Sequence, residues 1–266
     1  MIPSFTPFHR GGDGPPLVCL HGFTDTWRTW QLVLEPLERR HDVLALTLPG
    51  HTGGPPLPSE PTAAGMVDAI ERSLDDAGIG DAHLAGSSLG GFLALQLAAR
   101  GRARTVVALA PAGGWRAGSR AAADMLRSFP TMQAQARKAL PQLDELVATP
   151  EGRRRATELI AEHGERLPPE LIAHIVLGLA ACPGVEALTA SALAQPWELD
   201  ADAVACPVRV VWGLDDRVLR WPAAAARYRE EWLPHADWVE LDGVGHCPQL
   251  DAPLVTADLI TGLTGG

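Results

Sequence analysis

Gly86-Ser87-Ser88-Leu89-Gly90 stands between Ala82-His83-Leu84-Ala85 and Phe92-Leu93-Ala94-Leu95. That order constrains the fold more than any other feature of the chain. It reads as strand, sharp turn and helix, with one serine at the apex. Glycine two residues before and two residues after Ser88 lets the backbone reverse tightly enough for the hydroxyl to project. Ser87 has no glycine two residues before it, so only Ser88 fits the apex. Gly91 adds a third small residue and lets the helix lie close to the sheet. Such a strained turn is expected only where the surrounding structure holds it.

The pattern on either side predicts an α/β chain. Leu17 to Leu20 is unbroken and apolar, as in a strand covered on both faces of a parallel sheet. Asp25 or Thr26 can cap a helix from Trp27 to about Arg39, with Trp27, Trp30, Val33, Leu34 and Leu37 on its inner face. Strands are expected at Asp42–Leu46, Thr105–Ala110, Val208–Trp212 and Asp237–Leu241. Helices are expected from Ala63 to about Ala77 (opened by Thr62), after the turn to about Gly101, from Pro222, and from Ala252 to Leu263. Alternating strands and helices imply a mostly parallel sheet with helices on both faces.

From Gly114 to Leu199 the alternation stops, and only helical patterns remain. They are punctuated at Pro130, Pro141, Pro150, Pro168-Pro169 and Pro183. This predicts a core made of 1–113 and 200–266, with 114–199 inserted as a helical lid. Met125, Leu126, Phe129, Met132, Leu143, Leu146 and the Ile172–Leu179 face could line an apolar pocket or pack the lid on the core. Trp115 and Trp197, at the two hinges, are expected in the cleft beside Phe129.

A serine hydroxyl attacks only when a base removes its proton and an acid orients that base. His246, in a glycine-rich loop after the last strand, is the candidate base. It must be neutral to act, so activity should fall as acid protonates it. Asp216 and Asp215, both delivered by the strand before them, are the candidate acids. The amide of Leu89, at a helix N-terminus, can receive an oxyanion. The amide of Phe23 in His21-Gly22-Phe23-Thr24 can supply the second donor. His21 reads as a structural partner of that loop, and Asp25 as a helix cap rather than an acid.

Composition removes other classes. Twenty-two basic against 32 acidic residues give a formal net charge of −10. Nucleic acid is therefore not expected as a partner. Arg153-Arg154-Arg155, the one basic run, reads as a solvated helix face. Four cysteines show no CxxC spacing, and Cys19 reads as a buried thiol. There is no metal-ligand spacing, no dinucleotide or phosphate-binding glycine pattern, and a single lysine, Lys138, so no cofactor is implied. The longest apolar stretch, Leu171 to Cys182, contains His174 and is too short to span a bilayer. No signal-peptide pattern opens the sequence, and a cytoplasmic setting is the expectation.

Taken together, these segments resemble the α/β-hydrolase superfamily almost end to end. The resemblance is carried by His21-Gly22-Phe23 with Trp27 and Trp30, Leu48-Pro49-Gly50-His51, the Gly86–Gly90 elbow, Gly213-Leu214-Asp215-Asp216 and Gly245-His246-Cys247-Pro248. In that family the acid commonly stands three residues after the glycine of the Trp-Gly pair, which selects Asp216. The resemblance implies Ser88 as nucleophile, His246 as base and acid, Asp216 as orienter, and the Phe23 and Leu89 amides as oxyanion hole. Gly50-His51-Thr52-Gly53-Gly54 departs from the commoner Gly-His-Gly-x-Ser. Haloalkane dehalogenases and epoxide hydrolases carry aspartate at the elbow, where this chain has Ser88. Plant-like hydroxynitrile lyases carry lysine after the histidine and many carbon–carbon hydrolases tryptophan, where Cys247 stands here.

The expected activity is hydrolysis of a small, largely apolar carboxylic ester or thioester through an acyl-enzyme. The alternatives are a carbon–carbon hydrolase or lactonase with the same triad, or a slow-turnover small-molecule receptor of the same fold, which Gly245 to Leu250 resembles equally. The sequence does not set the oligomeric state.

Overall fold

The computed structural model describes residues 4–265. Seven strands form one sheet: β1 (Phe8–Gly11), β2 (Pro16–Leu20), β3 (Asp42–Leu46), β4 (Ala82–Ser87), β5 (Ala103–Leu109), β6 (Val208–Gly213) and β7 (Asp237–Leu241). Their order is β1-β3-β2-β4-β5-β6-β7. Only the β1–β3 pair is antiparallel. Between the strands run α1 (Gln31–Glu38), α2 (Ala63–Asp76) and α3 (Leu89–Ala99). Two helices, α9 (Pro248–Asp251) and α10 (Pro253–Thr264), close the chain.

The period of two along each strand sorts the core into two layers. Val18, Leu20, Leu84, Val106, Val210 and Trp212 face the side covered by α2 and α3. Leu17, Cys19, Ala85, Val107 and Val211 face the side of α1 and α10, where Trp30, Leu37 and Ile260 are fully buried. α3 is buried on nearly every side, which explains why its sequence is apolar all round. Thr62 caps α2 by accepting the Gly65 N–H at 3.1 Å. The helix at Trp27 opens with a 3₁₀ turn, Trp27–Trp30, capped by Thr26 rather than Asp25.

Between β5 and β6 lies the helical insertion. It contains α4 (Arg120–Ala139), α5 (Leu143–Ala148), α6 (Pro150–Thr157), α7 (Pro169–Ala181) and α8 (Val185–Ala194). The insertion has its own core around Leu143, Val147, Leu171 and Ile172. Among the described residues no single helix is long and apolar enough to cross a membrane; α7 and α8 meet at a 72° bend.

Several expectations need correction. Pro130 does not end a helix: α4 runs through it. A proline inside a helix costs about 3 kcal/mol. The buried face of Ala122, Leu126, Gln133 and Ala136 offsets it, and Gln133 ties the helix to α7 by donating to Leu179 O and Cys182 O at 3.1 and 2.7 Å. No regular helix starts at Pro222. A 3₁₀ turn (Ala223–Ala225) and a π turn (Tyr228–Trp232) replace it. Within it the buried Tyr228 hydroxyl donates to Ala112 O at 2.7 Å, and Arg227 N donates out of the helix to Gly114 O at 2.8 Å. Arg153 is not a free solvated side chain: it donates to Val147 O at 3.0 Å and Glu165 O at 2.9 Å.

The glycines at the elbow are set by close approach. A Cβ on Gly86 would lie 2.3 Å from Gly90 O, and one on Gly90 would lie 2.2 Å from Leu20 O. Backbone cannot yield to such contacts as a side chain does. Gly90→Ala is therefore expected to cost about 3 kcal/mol, a fall in Tm of roughly 6–12 °C measured by thermal unfolding. An unchanged Tm would show that the helix can shift off β2.

Candidate active site

β4 delivers Ser88 to the carboxyl edge of the sheet in the conformation the elbow demands, φ 54° and ψ −115°. Three backbone bonds hold this strained residue. Ser88 N donates to Leu109 O at 2.8 Å, and Ser88 O accepts from Ala112 N at 3.0 Å and Phe92 N at 3.1 Å. Such a conformation costs roughly 1–3 kcal/mol and persists where neighbours over-determine it.

β6 and β7 bring up the other two side chains. His246 and Asp216 are each 4% exposed, and His246 Nδ1 lies 2.7 Å from Asp216 Oδ2. The second carboxylate oxygen accepts the Val218 and Leu219 amides at 2.8 and 2.7 Å. With the carboxylate so fixed, Nδ1 is the donor and Nε2 is left to face a substrate. Asp215, its competitor in the sequence, is exposed, and its N–H donates to Val244 O at 3.0 Å. Ser88 and His246 line the same cavity, of about 850 Å³. No hydrogen bond joins the Ser88 hydroxyl to the ring among the described residues. Contacts of this kind often tighten only around substrate.

The loop after β2 abuts the elbow. A Cβ on Gly22 would stand 3.3 Å from Ser88 Cβ, a tight contact that glycine avoids where the Gly22-Phe23 backbone passes the elbow. His21 holds the loop from behind: Nδ1–H donates to Gly22 O at 2.7 Å, and Nε2 accepts the Leu48 N–H at 2.8 Å. Burial keeps its protonated form well out of reach, with buried His51 beside it adding to the effect. The amides of Phe23 and Leu89 donate to no other group among the described residues. Leu89 is the first residue of α3, so its N–H is an orphan donor at a positive helix end.

Two recesses open from Ser88. The wide cavity runs under α4 and past Ile175, Val176 and Leu179 of α7. A narrower one, about 90 Å³, is lined by Met66, Phe92, Leu93, Leu126, Leu188 and Trp197. Trp115 and Phe129 line both. The two hinge tryptophans meet at 5.1 Å between ring centroids, and Trp197 packs on Phe92 at 4.8 Å. Leu143 and Ile172 pack inside the insertion and do not reach the cavity.

One residue escaped the sequence reading, and another was read in a different role. Asp251, in α9, accepts the Gly245, Glu162 and His163 amides at 2.7, 2.9 and 2.9 Å. It fastens the loop bearing His246 to the insertion, and Cys247 N adds a bond to Ile160 O at 2.9 Å. Only its place five residues after His246 could have flagged it. Asp25 is not a helix cap; its Oδ1 accepts the Thr26 amide at 2.8 Å and it lines the wide cavity. No cluster of three His, Cys, Asp or Glu side chains that could hold a metal occurs among the described residues.

A parallel sheet that carries a serine-tipped elbow at its carboxyl edge, with a histidine–aspartate pair from the last strands, defines the α/β-hydrolase class. The chain belongs to the Alpha/beta hydrolase family, matched over residues 17–259. It is 33% identical over 201 residues to Epoxide hydrolase EphH of Mycobacterium tuberculosis, covering 75% of this chain and 94% of that protein. Over 270 residues it is 30% identical to the Pimeloyl-[acyl-carrier protein] methyl ester esterase of Aromatoleum aromaticum, covering 95% and 99%. Among solved structures, a thermophilic esterase from Thermogutta terrifontis superposes with a TM-score of 0.72 at 22% identity, over 95% of this chain and 90% of that one. That likeness is one of fold.

Proposed function

We propose that the protein is a serine hydrolase that cleaves a small, largely apolar carboxylic ester or thioester. The observation that carries this reading is the buried His246–Asp216 pair, 2.7 Å apart, in one cavity with the strained Ser88. Ser88 Oγ attacks the carbonyl carbon as His246 Nε2 takes its proton. Asp216 holds the ring and stabilises the imidazolium. The Phe23 and Leu89 amides receive the oxyanion. Collapse of the tetrahedral intermediate expels the alcohol or thiol, which takes the proton from His246. Water, activated by the same ring, then hydrolyses the acyl-enzyme.

In this reading the core of 1–113 and 200–266 carries the chemistry, and 114–199 acts as a lid that keeps water from the site. Trp115, Phe129 and Trp197 contact the substrate. The narrow apolar recess suits a short acyl chain. The activity in the mycobacterial relative's name does not fit Ser88: a serine oxygen opening an epoxide would leave an ether, which histidine-activated water does not hydrolyse. An acyl-serine, by contrast, is an ester.

A fluorophosphonate probe tests the proposal. Peptide mapping is expected to find one label per chain, at Ser88, and none in Ser88→Ala. Labelling at Ser87, or no labelling of the folded protein, would sink it.

A further inference from the structure

One carboxyl group on the cavity wall has no part in this chemistry. Asp25 lies in the loop that carries Gly22 and Phe23, and it lines the wide cavity together with Ser88 and His246. No cation pairs with it among the described residues; its neighbours are the Thr26 amide and the Thr29 hydroxyl. Buried polar groups continue behind it. Gln249 Nε2 donates to Thr29 Oγ1 at 3.1 Å and to Ser87 Oγ at 3.3 Å. Gln249 and Thr29 are both fully buried. Since Thr29 Oγ1 accepts from Gln249, its own proton is free for Asp25. The carboxyl is thus held from the protein side, while its residue borders the space that substrate must fill.

We propose that Asp25 determines specificity by accepting a hydrogen bond from a hydroxyl or amino group carried close to the scissile carbonyl, so that the preferred substrate is an ester bearing such a donor. The inference rests on Ser88 as the nucleophile. An apolar group pressed against this carboxyl would displace water and give no hydrogen bond in return, whereas a donor would supply one. Sites built around such a bond reject analogues that lack the donor far more strongly than apolar pockets reject a missing methylene.

Ionisation gives the inference a second signature. Burial pushes the Asp25 carboxyl up to about 6, against hydrogen bonds from Thr26 and Thr29. Cys247, from the loop before α9, interacts with it electrostatically, and His246 lines the same cavity. His174 of α7 contacts the neighbouring Thr26 at 3.0 Å. Arg155, Glu158, Arg217 and Arg220 stand elsewhere on the cavity wall. Burial holds the Cys247 thiol neutral throughout this range. Raising the pH through about 6 therefore converts Asp25 from acid to carboxylate, the stronger acceptor.

The test compares methyl butyrate with each enantiomer of methyl 3-hydroxybutyrate, using the full chain. The readout is the ratio of their kcat/KM values at each pH, in which effects common to both esters cancel. The better enantiomer is expected to be preferred at least about tenfold at neutral pH, with the ratio rising as pH climbs through about 6. In Asp25→Asn the ratio should drop about tenfold and lose its pH dependence. The wild-type profile stands even if that variant folds poorly. A ratio near one at every pH, or one unchanged in Asp25→Asn, overturns the inference while leaving Ser88 untouched. Hydrolysis of neither ester, with no fluorophosphonate label on Ser88, overturns the nucleophile reading and this one with it.

Discussion

Replacing Ser88 with alanine is expected to lower kcat/KM on a simple ester by at least about 10⁴-fold. The expected loss is large because in the proposed mechanism the hydroxyl is the atom that bonds to the acyl carbon, and no neighbour can stand in. Ser87 is fully buried and accepts from Gln249, so it faces away from substrate. The residual rate reflects the oxyanion donors and substrate binding alone. Because an alanine at the elbow apex would inherit the backbone bonds to Leu109, Ala112 and Phe92, the fold should survive. Steady-state hydrolysis, read beside a thermal melt, checks both halves. A variant that melts normally and keeps a tenth of the activity would remove Ser88 from the chemistry.

Asp216→Asn is the second large effect, about 10³–10⁴-fold in kcat. Asparagine can keep the acceptor toward the Val218 and Leu219 amides, now 2.8 and 2.7 Å from Oδ1. Its amide nitrogen would then face His246 Nδ1 and force that atom to accept. The proton moves to Nε2, which can no longer take one from Ser88. The change is in proton placement more than in shape, so stability should fall far less than rate. Asp215→Asn, on an exposed side chain, is expected to stay within about twofold. Measured side by side, the pair separates two adjacent carboxylates. Equal losses would deny Asp216 its role.

The parts of this molecule that were legible in the sequence are those where one local rule dominates. Continuous apolar runs marked the inner strands, since burial on both faces leaves no room for polar alternation. The elbow was visible because only glycine fits beside Gly90 O and Leu20 O. β1 was not legible. Its residues are half-exposed or exposed, and it joins the sheet through backbone pairing to β3 with support from Arg10 and Asp42. Choosing Asp216 over Asp215 needed family resemblance, because both reach the same edge and only tertiary structure shows which one turns inward. Asp25 and Asp251 were opaque for a related reason. Their partners are backbone amides and hydroxyls whose positions carry no pattern of their own. Pro130 misled because packing of the α4 face outweighs a local penalty.

The attachment at Asp251 has a mechanical corollary. One carboxylate grips the glycine before the imidazole and two amides of the loop after α6, so that loop and the one bearing His246 are tied together on that flank. Lifting residues 162 and 163 would either break those bonds or pull Gly245 along and draw the ring away from Asp216. A doorway on that side would disarm the enzyme each time it opened. A way in that leaves residues 162 and 163 in place would spare the proton path of the proposed mechanism.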